Sequence, residues 1–221
     1  MLLLAIDTSG KHGSIALARC YPDEVCEIIK VVPLEGGTFS AQLVPQIAAL
    51  LAQHGFSKEN IGAFAVASGP GSFTGLRVGL AAIKALAEVL DKPIATVSLL
   101  EAVAKSAHAQ GKIRVALDAG RGEVFVADYE SGQPISPEIL MTREEFLSSM
   151  TVATIVTPDP AIAGAGRLAG MTVEEVPCPH SEVIARLGWK KIPAGQTVSA
   201  EALDANYVRR SDAEIFVKDR S

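Results

Sequence analysis

Two features of this 221-residue chain have residue types and spacings that could do chemistry. The first is Gly69-Pro70-Gly71-Ser72-Phe73-Thr74-Gly75, entered from the apolar run 63–68 and left by a long, sparsely charged segment. The second is a pair of aspartates, Asp7 and Asp118, each closing an apolar run and each followed by small residues, Thr8-Ser9 and Ala119-Gly120. A phosphate-binding Walker loop would need Gly-Lys-Ser/Thr five residues after its first glycine, and Thr74 and Leu76 stand there instead. The dinucleotide fingerprint fails by one residue, and Ser72 lacks the Gly-x-Ser-x-Gly setting of a nucleophile elbow. Two readings of the glycine corner stay open. Backbone N–H groups of Ser72, Phe73 and Thr74 at a helix start can hold an anion. Alternatively, Gly69 and Gly71 supply positive φ for a tight turn while Ser72 or Thr74 caps the helix. Metal or nucleophilic chemistry is harder to assemble. His12, His54, His108 and His180 have no ligand spacing, and Cys20, Cys26 and Cys178 form neither a metal motif nor an even disulfide framework.

Alternating strands and helices must position these residues. Runs 2–7 and 13–19 read as a hairpin and 24–32 as a third strand. Residues 40–55 read as a helix capped by Ser40 and closed by Gly55, with Pro45 tolerable only near its first turn. Strand 63–68, helix 75–90, strand 94–98 and helix 99–110 follow. The pattern then restarts. Residues 113–130 lay over 2–19, with Asp118 on Asp7, and 152–156 and 161–166 continue the second copy less regularly, ending in Gly164 and Gly166. The expected fold is α/β with two tandem subdomains, 1–101 and 102–221, the second smaller and less regular, the last residues packing back on the first. Duplicated halves opening with Asp-ended hairpins resemble the ribonuclease H-like halves of the actin-like ATPase and sugar-kinase superfamily. In that superfamily the hairpins grip nucleotide phosphates, which by resemblance makes Asp7, Thr8, Ser9, Asp118, Gly120, Gly164 and Gly166 a nucleotide cleft.

Composition narrows the partners. The net charge is −5, with 7 basic and 9 acidic residues in 1–101 against 13 and 16 in 102–221, so no clustered positive face is built for nucleic acid. The start Met1-Leu2-Leu3-Leu4 lacks a basic leader region, Asp7 soon ends its apolar run, and no run approaches a membrane span. Three unpatterned cysteines fit a reduced, cytoplasmic protein.

A closer resemblance emerges from motifs in fixed order: Ala5-Ile6-Asp7-Thr8-Ser9, the corner from Ser68 to Gly79, Val97-Ser98-Leu99-Leu100-Glu101-Ala102, Leu117 to Tyr129, and Ala205 to Arg210. The chain is identified by these as a member of the bacterial TsaB (YeaZ) family, most weakly across 131–200. The resemblance implies a subunit of the machinery that makes threonylcarbamoyladenosine beside the anticodon of tRNAs reading codons that begin with A. The paralogue TsaD carries out the transfer and TsaE is an associated ATPase. It implies TsaD as direct partner, TsaE through the complex, tRNA met only indirectly, a homodimer in isolation, no membrane, no tightly bound cofactor, and ATP or ADP at the TsaD interface. Where the catalytic paralogue carries a metal-binding His-x-x-x-His, this chain reads Leu99-Leu100-Glu101-Ala102-Val103, and neither Leu nor Val can coordinate a metal. The expected role is therefore a non-catalytic scaffold with a vestigial cleft. An active ATPase or kinase is the alternative, and a glycoprotease-like peptidase the remote one.

Charge patterning singles out a recognition surface. Between Gly36 and Leu76 only Lys58 and Glu59 are charged, and helix 40–55 carries no charge at all. Leu43, Val44, Ile47, Leu50 and Leu51 form one apolar face of it, and helix 75–90 adds Leu80 beside a narrow stripe with Arg77 and Lys84. These eight residues are the expected partner interface, Gly79 and Ala82 allow a neighbouring helix close approach, and Leu51→Glu should give a folded monomer if Leu51 faces out. One departure from the family is the start of the first helix, Phe39-Ser40-Ala41 instead of a polar His-Ser-Glu.

Overall fold

The computed structural model describes residues 1–23, 25–149, 154–206 and 208. They form two units, Met1–Ala102 with Pro179–Ala205, and Val103–Cys178 with Asn206.

The first unit opens with β1 (Leu2–Asp7), β2 (Gly13–Cys20) and β3 (Cys26–Leu34), followed by α1 (Phe39–Gln53), β4 (Ile61–Gly69), α2 (Phe73–Leu90), β5 (Ile94–Ser98) and α3 (Leu99–Ser106). The sheet order is β3-β2-β1-β4-β5, antiparallel among the first three strands and parallel from β1 outward to β4 and β5. Side chains alternate across the strands, and size sorts with the alternation. Leu4, Ile6, Ile15, Leu17, Phe64 and Val66 meet the buried side of α1 and α2. Ala5, Ala16, Ala18, Ala63, Ala65 and Ala67, all essentially without solvent contact, line the other face.

The second unit repeats this plan with β6 (Lys112–Gly120), β7 (Glu123–Glu130), β8 (Gln133–Pro134), β9 (Ile139–Thr142), α4 (Arg143–Ser148), β10 (Thr154–Thr157), α5 (Pro160–Leu168) and β11 (Val173–Glu175). Its order, β11-β10-β6-β7-β8 with β9 also on β7, places β6, β7, β10 and β11 where β1, β2, β4 and β5 stand in the first unit. Two ribonuclease H-like sheets result, the second with a smaller core around Ala116, Val124, Val126, Phe146, Ile155 and Ile162.

The division of the chain differs from the sequence expectation. A final helix, α6 (Ser181–Lys191), lies on β1, β2 and β4 of the first unit, so 179–205 belongs there and not with the second half. Its Gly188 approaches the sheet closely, since a Cβ there would stand 2.5 Å from the Ala65 methyl. The alanine face of the sheet and the glycine of the helix are complementary surfaces. Residues 209–221, where the chain's last residues were expected to pack back, lie outside the described residues, as do Tyr207, Arg209 and Arg210 of the Ala205–Arg210 motif, Glu24 of the third strand and 152–153 of strand 152–156.

Local boundaries shifted for identifiable reasons. Helix α1 begins at Phe39 with Thr38 as its N-cap, so Ser40 lies inside the first turn and does not cap. Phe39 is drawn in because its ring packs where a Cβ on Gly13 would otherwise be, 2.9 Å away. Pro45 falls in the second turn, later than expected; the carbonyl it leaves free is that of exposed Ala41, which water can serve. Helix α3 stops at Ser106, short of 110, because the Glu174 carboxylate captures the N–H groups of His108 at 2.8 Å and Ala109 at 2.9 Å.

Candidate functional site

The glycine corner is clamped onto the end of β1. Ser72 N–H donates to the Ser9 carbonyl at 2.6 Å, and Thr8 Oγ1 donates to the Gly75 carbonyl at 2.8 Å. Ser72 caps α2, its Oγ accepting from Gly75 N–H at 3.3 Å. Only Gly69 uses positive φ (117°), in front of a cis Pro70. Gly71 and Gly75 are glycine for proximity: a Cβ would come within 2.5 Å of the Ser9 carbonyl oxygen and 2.1 Å of the Thr8 carbonyl oxygen. Gly79 likewise faces Thr8, at 2.4 Å from Oγ1, so its close approach is to β1 and not to a neighbouring helix.

This clamp leaves the first Asp-ended hairpin turned inward. Asp7, Thr8 and Ser9 are all buried, Asp7 to 5% exposure. The Asp7 carboxylate accepts from Ser9 N–H at 2.9 Å and, more closely, from Ser9 Oγ. Burial pushes the Asp7 carboxyl above the usual carboxylate range, against the Ser9 hydrogen bonds and the nearby His180, which draw it down. The sign for stability follows. As pH rises past about 3.9, the unfolded chain releases this proton first, so stability falls until the raised folded-state pKa is passed. In urea titrations, Asp7→Asn should therefore gain on the parent as pH rises above about 4. A variant that loses ground toward neutral pH would mark Asp7 as a carboxylate built to be charged.

Asp118 occupies the matching repeat position in a different environment. It is about two-fifths exposed, and its Oδ1 accepts from Arg143 Nη2 at 3.4 Å, a solvent-screened pair of small energetic weight. Gly120 (φ 71°) precedes the turn Arg121-Gly122, both at positive φ, which folds β7 back on β6. On α5, a Cβ on Gly166 would stand 3.0 Å from the Ile155 and Val173 side chains, whereas nothing lies within 4 Å of a Cβ on Gly164. Of the second-unit members of the expected cleft, Gly120 thus serves a hairpin turn, Asp118 an exposed ion pair and Gly166 a helix–sheet contact.

The recognition surface needs larger correction. Leu43, Ile47, Leu50, Leu51 and Leu80 are buried in the core of the first unit, Leu43 and Leu50 to 1% exposure. These five side chains pack into the core, although Leu43 also forms part of the floor of the groove between the two helices. Leu51→Glu should consequently unfold the unit, at a cost on the order of 4 kcal/mol or more for a carboxylate without a partner in the core, and not yield the folded monomer expected above. Thermal melts would check this: a cooperative transition near the parent's would contradict the buried placement.

What α1 and α2 turn outward is a different set. Val44 is 58% exposed, with Ala41, Ala48 and Ala52 along the same helix. Between the helices runs a groove of about 480 Å³ bordered by Ser40, Val44, Phe73, Arg77, Val78 and Ala81. The Arg77 guanidinium stacks over the Phe73 ring, 3.7 Å from its centroid, and both residues line the groove. Lys84 reaches the Glu201 carbonyl at 3.2 Å, so its ammonium serves its own unit. Phe73 and Ala81 were overlooked in the sequence, although the spacing 73, 77, 81 marks one helix stripe; Arg143 had no sequence signal at all.

The paralogue's ligand positions are filled by aliphatic side chains, Leu99 at the edge of burial and Val103 fully buried. Among the described residues no three His, Cys, Asp or Glu side chains converge as metal ligands, and no helix is long and apolar enough to cross a membrane.

Comparison with known proteins bears on the same features. A family model described as "TsaD: tRNA N6-adenosine threonylcarbamoyltransferase" matches residues 31–149. The chain is 31% identical over 229 residues to the tRNA threonylcarbamoyladenosine biosynthesis protein TsaB of Escherichia coli K12, covering 96% of each. It is 37% identical over 149 residues to the protein of that name from Bacillus subtilis 168, covering 67% of this chain and 63% of that one. YeaZ from Pseudomonas aeruginosa shares the fold with a TM-score of 0.73 at 25% identity, over 93% of this chain and 99% of that one. With motifs, doubled sheet order and near full-length identity in agreement, the chain belongs to the TsaB (YeaZ) family.

Proposed function

We propose that this chain is the non-catalytic scaffold subunit of the machinery that makes threonylcarbamoyladenosine in tRNA, and that it acts by holding TsaD. The observation that carries the reading is the outward face of α1 and α2: no charge on α1, an apolar groove beside it, and a cation, Arg77, stacked on Phe73 in the groove lining. Water is a poor partner for such a face, and a protein surface with a carboxylate opposite Arg77 is a good one. Alone, the same face pairs two copies, burying roughly 1,600 Å² or less and hence dissociating readily. TsaE and tRNA are reached through the complex, in the cytoplasm.

The scaffold reading also assigns nucleotide elsewhere. Asp7, Thr8 and Ser9 are engaged with one another and with the glycine corner, which supports a vestigial first hairpin, with ATP or ADP met at the TsaD interface. The experiment that tests the proposal is co-purification with the cognate TsaD, with and without nucleotide, followed by threonylcarbamoylation of tRNA in a reconstituted mixture. A stable complex whose activity disappears when this chain is omitted is the expected result. ATP turnover by this chain in a TsaD-free and TsaE-free sample would overturn the non-catalytic role.

A further inference from the structure

Spacing alone gave Cys20 and Cys26 no role, but strand register brings them together. Cys20 ends β2, Cys26 opens β3, and the two are direct antiparallel partners. Both backbone groups of Cys20 engage Met1: its N–H donates to the Met1 carbonyl at 2.8 Å, and its carbonyl accepts from the Met1 nitrogen at 2.7 Å. Toward β3, Cys20 is therefore at a non-hydrogen-bonded position, and the adjacent hydrogen-bonded place is taken by Tyr21 N–H donating to the Val25 carbonyl at 2.9 Å. Non-hydrogen-bonded pairs hold their Cα atoms about 4.5 Å apart, inside the roughly 4.4–6.8 Å range that a disulfide spans. The two sulfurs stand 3.2 Å apart as free thiols, so closing by about 1.2 Å would bond them.

The surroundings hold this pair in place and distinguish its members. Helix α6 grips the connection between the strands from both ends: Arg186 Nη1 donates to the Cys26 carbonyl and Trp189 Nε1 to the Tyr21 carbonyl, each at 3.1 Å. Cys20 is 1% exposed and Cys26 6%, so Cys26 is the more accessible residue of the pair. The Cys20 S–H bond to Cys26 draws the Cys26 thiol down in pKa against its burial, with Arg186 adding to the effect, while the same bond and burial push Cys20 up.

We propose that Cys20 and Cys26 form a reversible intramolecular disulfide, with a low-molecular-weight disulfide such as glutathione disulfide as the electron acceptor. The Cys26 thiolate attacks one sulfur of the acceptor, whose S–S bond breaks; one glutathione leaves as thiolate and takes up the proton Cys26 released. Cys20, losing its own proton, then attacks Cys26 Sγ and expels the second glutathione. Two cysteine thiols are oxidised and one acceptor disulfide becomes two thiols, so electrons and protons balance. The product staples β2 to β3 without requiring either strand to change register.

The test uses the full chain and glutathione disulfide, with the exposed Cys178 as internal control for oxidant activity. When Cys178 has reacted, the native protein should contain a Cys20–Cys26 linked peptide, carry no glutathione at either site, and regain both thiols with dithiothreitol. With Cys178→Ser and Cys20→Ser combined, glutathione should remain on Cys26. With Cys178→Ser and Cys26→Ser combined, Cys20 should react at least tenfold more slowly. Free thiols at both positions after Cys178 is consumed, or glutathione on both without a cross-link, would overturn the proposal; the linked-peptide measurement needs no variant to fold.

Discussion

A chain carrying Val44→Glu is expected to fold normally and to lose TsaD in a pull-down, with affinity lower by about 100-fold or more. Val44 is the large apolar side chain that α1 gives to solvent, so a carboxylate there stays hydrated in the free protein. In a complex it would be desolvated against an apolar surface, and about 2.8 kcal/mol of such cost is enough for a factor of 100. Arg77→Glu is the companion. It removes the cation stacked on Phe73 and places like charge opposite the partner's carboxylate, so threonylcarbamoylation should fall with complex formation while circular dichroism is unchanged. Both variants should also run as monomers in light scattering. Asp7→Asn and Asp118→Asn should matter less, since scaffolding asks no phosphate chemistry of them. An unchanged complex with charge at Val44 would place the interface on another surface, and loss of activity in the Asp variants with TsaD still bound would revive the ATPase reading.

The contrast between Val44 and its neighbours shows where sequence reasoning stopped. The repeat of 2–19 at 113–130 was legible because a strand's apolar run, a terminal Asp and a glycine turn are local features, and both hairpins formed as read. The uncharged character of 40–55 was legible too. Which side of that helix meets the sheet was not: leucines at 43, 50 and 51 and alanines at 41, 48 and 52 are all apolar, so periodicity leaves the inward face undetermined. Tertiary packing chose the larger side chains for the core and left the alanines with Val44 outside. The return of 179–205 to the first unit was equally hidden, because nothing local to α6 says which sheet it covers.

The second large effect is expected at Gly75. Within the first turn of α2, glycine is a poor helix former, and alanine would gain about 1 kcal/mol if propensity decided the matter. Here a methyl group would stand 2.1 Å from the Thr8 carbonyl oxygen, a backbone atom already fixed by the β1 end and the corner clamp. Overlap of that depth must move one element off the other and disturb the Thr8 Oγ1 bond to the Gly75 carbonyl. Sterics should win: Gly75→Ala should lower stability by about 3 kcal/mol or more, read as a shifted urea midpoint. Gly164→Ala, on a helix with open space around the new methyl, should do the reverse and stabilise by about 0.5–1 kcal/mol. Equal and small effects at both sites would mean the clamp is looser than its distances.

Helix α6 also sets the order in which the protein can be finished during synthesis. Folding of a nascent chain usually completes its leading domain while later residues are still being added. Here the leading sheet receives α1 and α2 early, but the helix that covers Ala5, Ala16, Ala63 and Ala65 begins about 75 residues after the end of α3, once the whole second sheet has been translated. Until then one face of the first sheet, rich in small side chains, lacks the helix that covers it. Alanine suits such a wait, since a surface of methyl groups is less adhesive to other nascent chains than one of leucine or phenylalanine would be.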